Sequence, residues 1–182
     1  VRSQYFPKKE VLSIVMGLCG DGTGLPKDQG VFFANGGSHC HPSDVKLLSN
    51  CSKDQLIGKR TYSTNISDGV NYSIDFEVLF DEPIIREGSS DFNPSAWLNG
   101  MKITVSNSNM LQSAAFFNLC RQTLEDTYNC EVTASNKNDY VLTSNNNDNL
   151  IILVHGKGDY FYIYLRQRNE STLSYWTNYI RE

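Results

Sequence analysis

Two histidines stand at i and i+2 in Ser38-His39-Cys40-His41-Pro42. In an extended segment both imidazoles would face one side, which suits a borderline cation such as zinc. A catalytic zinc needs a third ligand and an open position. His155, Asp44 or Cys51 could supply the ligand, but no spacing requires any of them. The pair therefore reads as two exposed loop histidines, and no metal site is expected. Tyr160, Tyr162 and Tyr164 alternate along one apolar stretch, which puts three phenols on one face of a strand. Tyr175, Trp176 and Tyr179 crowd in behind them. Aromatic strips of this kind bind glycans, peptides or bases. Tyr160, Tyr162, Tyr164 and Trp176 are the candidate binding surface.

Two further motifs fail on context. Gly17 to Gly24 holds four glycines, but Pro26 follows, no helix opens behind them and no Lys-Ser/Thr is present, so it reads as a helix C-terminal turn rather than a phosphate loop. Leu153-Val-His-Gly-Lys-Gly158 looks like the His-Gly segment before an oxyanion hole. No Gly-x-Ser-x-Gly elbow accompanies it, and a hairpin turn after a buried strand accounts for it. No catalytic residue or cofactor is expected, and the chain reads as non-enzymatic.

There are five cysteines and no C-x-x-C pair. Scattered through Asn-, Ser- and Thr-rich segments, they suit an exported protein. Cys40 with Cys51 and Cys120 with Cys130 are the simplest disulfide candidates, although spacing fixes no connectivity. The odd count leaves at least one thiol free or bonded outside the chain. Four N-glycosylation sequons begin at Asn50, Asn65, Asn71 and Asn169. In a chain this rich in Asn, Ser and Thr, chance supplies about that many, so they carry no weight.

The 182 residues suit one domain, here 1–182. The net charge of −4 argues against nucleic acid as a partner. Hydrophobic residues make up 40%, enough for a packed core, yet no apolar run approaches membrane-spanning length. Val1 in place of a Met gives the expectation of a trimmed or processed form.

Pro7 followed by Val11, Leu12, Ile14, Val15 and Leu18 predicts a helix over 7–18. Residues 20–73 read as a variable, loop-rich region with one short strand-like stretch at 31–34. From 74 to 182 the pattern predicts an antiparallel sheet. Strands are expected at 74–80, 102–106, 131–134, 140–143, 150–154 and 160–165, and closely spaced turn residues favour hairpins. A helix is expected over about 110–127, opened by Asn109 and Gln112 as a capping box.

Two segments resemble the type IV pilins, particularly the minor pilins of the type IVb group. Val1-Arg-Ser-Gln4 with Glu10-Val-Leu-Ser13 is similar to the second half of a pilin N-terminal helix. Met101-Lys-Ile-Thr-Val-Ser106, then Gln112 through Cys120-Arg-Gln-Thr-Leu124, is similar to the strand and cysteine-bearing helix that follow. The resemblance implies an α+β fold, with an N-terminal helix and a second helix packed on an antiparallel sheet, and a disulfide closing the C-terminal region. It also implies a structural or adhesive subunit of an extracellular filament. Its partners would be other subunits, met through a helix preceding Val1 that is also its only membrane contact, and a host or surface ligand. The alternative is a secreted binding module unrelated to pilins, such as an adhesin, inhibitor or immunity protein.

Overall fold

The computed structural model describes residues 42, 45–49, 51–67, 73–106, 110–126, 129–144 and 149–181. Seven strands dominate them: Thr61–Ser67 (β1), Ser73–Phe80 (β2), Leu98–Ser106 (β3), Cys130–Ser135 (β4), Tyr140–Ser144 (β5), Asn149–His155 (β6) and Tyr160–Gln167 (β7). They form one sheet in the order β1-β2-β3-β7-β6-β5-β4, and every neighbouring pair is antiparallel. The helices are Lys46–Ser49 (α1), Lys53–Leu56 (α2), Met110–Asp126 (α3) and Glu170–Arg181 (α4).

Period-two alternation makes these strands. In β2, Ile74, Phe76, Val78 and Phe80 are buried while Asp75, Glu77 and Leu79 are half-buried. The buried set shares one face with Met101, Ile103 and Val105 of β3, Phe161, Ile163 and Leu165 of β7, and Ile151 and Leu153 of β6. Helix α3 closes that face with Phe116, Phe117, Cys120 and Leu124, a stripe at helical spacing. Phe116 and Phe117 both meet Phe161, each at a ring-centroid distance of 5.5 Å. The chain thus leaves the sheet centre at β3, crosses one face as α3, and re-enters at the far edge as β4. From there β4 to β7 walk back to the centre. The turns are made by side chains that bond their own backbone. Asn136 Oδ1 accepts from the backbone N–H of Asn138 and of Asp139, both at 2.7 Å, and Gly158 takes φ +87° in the β6–β7 turn.

This architecture overturns the expected pilin-like arrangement of an N-terminal helix and a second helix on a sheet. The sheet makes up the bulk of the described residues, and the helices among them are few. The face opposite α3 is covered, over β4 to β7, by a helix from the C-terminus. The expected helix at 7–18, the stretch at 31–34 and Asn109 all lie outside the described residues.

Two corrections have plain physical causes. Residues 170–181 carry Leu173, Trp176 and Ile180 at i, i+3 and i+7, but Ser, Thr and aromatic residues mask the period. The helix is set by Asn169, whose Oδ1 accepts from the Thr172 N–H at 2.8 Å, with Glu170 in the first turn. Within the supposed loop region, β1 holds only two large apolar residues, Tyr62 and Ile66. Seven register pairs with β2 make it a strand despite that weak pattern. Helices α1 and α2 occupy the same region, and Val45, Leu48 and Leu56 enter the core.

Candidate ligand-binding face

The second face of the sheet is best followed row by row across the strands. One row runs Leu79, Gly100, Tyr164, Ile152, Val141. Its Ile152 and Val141 pack with Ala134, Leu150 and Ile180, with Tyr164, Leu173 and Trp176 against them, and this is the small core beneath α4. The next row runs Ser63, Glu77, Lys102, Tyr162, Val154, and the third runs Asn65, Asp75, Thr104, Tyr160. These rows are polar on β1 to β3, and their residues are half-buried or exposed.

Four sequence-predicted aromatic residues come together here. Ring centroids lie 5.7 Å apart for Tyr160 and Tyr162, 5.3 Å for Tyr162 and Tyr164, and 5.6 Å for Tyr164 and Trp176. Helix α4 adds Tyr175 and Tyr179, each 5.4 Å from Trp176 and edge-on to it. Both are well exposed. Among the described residues the result is a corner: the half of the sheet that α4 leaves uncovered is its floor and the aromatic flank of α4 its wall.

Glycines set the ring positions. A Cβ on Gly100 would lie 2.7 Å from the Ile163 carbonyl oxygen and 3.2 Å from Tyr164 Cδ1, so Tyr164 leans over β3 only because residue 100 has no side chain. Tyr160 lies over Gly156 in the same way, with 2.2 Å from a Gly156 Cβ to the ring. The Lys102 ammonium sits 4.5 Å from the Tyr160 ring centroid and 5.6 Å from that of Tyr162. Asp75 is held on both sides, Oδ1 accepting from Asn65 Nδ2 at 2.8 Å and Oδ2 from the Ser106 hydroxyl at 2.9 Å.

Burial pushes the Tyr164 phenol pKa up, helped by Tyr162 and Tyr179 and opposed by Arg166. Burial also lowers the Arg166 pKa. That guanidinium donates to the backbone carbonyls of Asn99 and Leu165 and lies over the Tyr164 ring. It is a fixed strut rather than a mobile charge.

The other sequence candidates fall elsewhere. Cys40, His39 and His41 lie outside the described residues. Cys51 is half-buried, and its thiol donates to the Leu47 carbonyl at 3.4 Å. The Tyr62 phenol is pushed up first by its hydrogen bond with Cys51 and then by burial. Cys120 and Cys130 are buried in the main core. His155 packs edge-on to Phe117 at 5.3 Å, on the face away from the tyrosines. Among the described residues, no group of three His, Cys, Asp or Glu could hold a metal ion. No helix among them is long and apolar enough to cross a membrane. Sequence reasoning did not find Gly100, Lys102, Asp75 or the helical placement of Trp176 and Tyr179. A Gly within an alternating strand was the one available signal. No family model, curated protein or solved structure matches the chain.

Proposed function

We propose that this chain is a non-enzymatic binding module that takes a neutral, hydroxyl-rich ligand, a glycan chain, in the corner between α4 and the open half of the sheet. The continuous run of rings from Tyr160 through Trp176 to Tyr179, bordered by Asp75, Glu77, Asn65, Thr104 and Lys102, supports this reading. Sugar C–H faces pack on rings, and their hydroxyls exchange hydrogen bonds with carboxylate, amide and ammonium groups. Rings already fixed by Gly100, Gly156 and one another lose little freedom on binding. Two carboxylates beside one ammonium disfavour a polyanion. The setting proposed for such a module is an adhesive subunit at the cell surface. Of the two segments that carry the pilin resemblance, 1–13 lies outside the described residues.

The test is a glycan array followed by calorimetric titration of the retained sugars into the wild-type chain and its variants. The expected result is saturable binding that Tyr162→Ala and Trp176→Ala weaken at least about tenfold, each lost ring being worth about 1–3 kcal/mol by analogy with base stacking. Retention of no glycan, or unchanged binding by both variants, would overturn the reading.

A further inference from the structure

The two edges of the sheet differ in kind. β4 is guarded. Its register slips between Val132 and Ala134, Glu131 is exposed, α3 and α4 both lie against it, and Asn136 Nδ2 donates to the Ile180 carbonyl at 2.8 Å. These are the devices that stop an edge from recruiting another strand. Among the described residues, β1 carries neither the bulge nor the charge that mark β4. Its seven residues include no charge and no proline, and its register with β2 is unbroken. Among the described residues, β2 is its only strand partner.

The hydrogen-bond alternation shows which groups the edge offers. The Arg60 carbonyl accepts from the Phe80 N–H at 2.8 Å, so residues 60, 62, 64 and 66 bond to β2. Across the sheet, Val105 N–H to Asp159 and Gly156 N–H to Tyr160 keep the same phase. The N–H and C=O groups of Thr61, Ser63, Asn65 and Ser67 therefore point away from the sheet.

We propose that a second copy of this chain occupies this edge, through antiparallel β1–β1 pairing about a two-fold axis at Thr64. The strand is self-complementary in that register. Ser63 meets the partner's Asn65, Tyr62 meets the partner's Ile66, and Thr64 meets its own copy. Small polar residues face small polar ones on the open face. An aromatic and a β-branched residue, both half-buried at the rim of the core, cover each other on the α3 face. No like charges oppose, and the outward groups of four residues form about eight hydrogen bonds. The axis stands perpendicular to the sheet, so two seven-stranded sheets become one and their open faces become continuous. This proposal does not depend on what those faces bind.

The test is solution mass by light scattering across a concentration series. The expected wild-type mass is twice the 20.5 kDa of one chain. Ser63→Pro removes an outward N–H while leaving the β1–β2 ladder intact, and it should be monomeric with an unchanged circular dichroism spectrum. Thr64→Lys and Thr64→Glu should each be monomeric alone, because like charges meet at the axis, and should dimerise when mixed. A wild-type monomer at every concentration overturns the proposal, including the case where residues 1–41 or another protein holds the edge. So does a folded Ser63→Pro dimer, or a Lys/Glu mixture that stays monomeric.

Discussion

The two faces of the sheet are built from the same strands and do different work. Beneath α3, apolar residues run from Ile66 at one edge to Leu142 near the other, and the face is closed. Among the described residues, the buried apolar cluster of the opposite face lies on β4 to β7, beneath α4, and on β1 to β3 that face carries Asp75, Glu77, Lys102 and Thr104 beside Leu79. Because the period of a strand is two, the two faces are composed independently. One is given wholly to stability, and the other divides between stability and the binding surface proposed above.

Neighbouring residues of β7 give the largest contrast. Phe161→Ala removes a ring with no exposure that touches both Phe116 and Phe117, and should cost about 3–5 kcal/mol in denaturant unfolding. Tyr162→Ala, one residue on but on the open face, should cost less than about 2 kcal/mol. Equal costs would erase the distinction between the faces. Gly100→Ala comes next, at about 1–3 kcal/mol, because the new methyl meets the Ile163 backbone and Tyr164 must lift. Its second readout, taken in a Trp97→Phe background, is a changed Trp176 emission, which a merely local strain would leave alone.

A smaller effect follows pH. Burial lowers the His155 pKa, with Asp139 opposing, so the unfolded chain binds the proton more readily than the folded one. Stability should hold above the unfolded histidine value of about 6.5 and fall as pH drops through the lower folded value. His155→Asn should flatten that slope. A steeper slope in the variant would assign acid sensitivity to other groups. The least effect is expected at Tyr175, 63% exposed, where Tyr175→Ser should change stability by no more than about 0.5 kcal/mol.

Legibility in the sequence followed the strength of the local pattern. β2 and α3 were readable because Ile74, Phe76, Val78 and Phe80 alternate cleanly and Phe116, Phe117, Cys120 and Leu124 hold helical spacing. The three tyrosines on one strand face were readable for the same reason. β1 was not, because an edge strand of Thr, Ser and Asn declares itself only through its partner's ladder. α4 was not, because its core contacts are three residues among aromatic and hydroxyl side chains. The partners of the tyrosines, Gly100 and Lys102, lie some 60 positions back in the chain. Only the β3–β7 register brings them together.

That register also bears on how the chain reaches its fold. β1, β2 and β3 are sequence neighbours, as are β4 to β7, so each group can form from local hairpins. The single ladder joining the two groups runs from Gly100–Thr104 to Tyr160–Tyr164, and closing it spans the whole of α3 and three strands. The element that separates the halves in sequence is also the one that clasps them, since α3 delivers Phe116 and Phe117 onto Phe161 at the seam. The folding nucleus should therefore lie at that junction. Substitutions in α3 should slow folding itself, while those in the outer strands chiefly hasten unfolding.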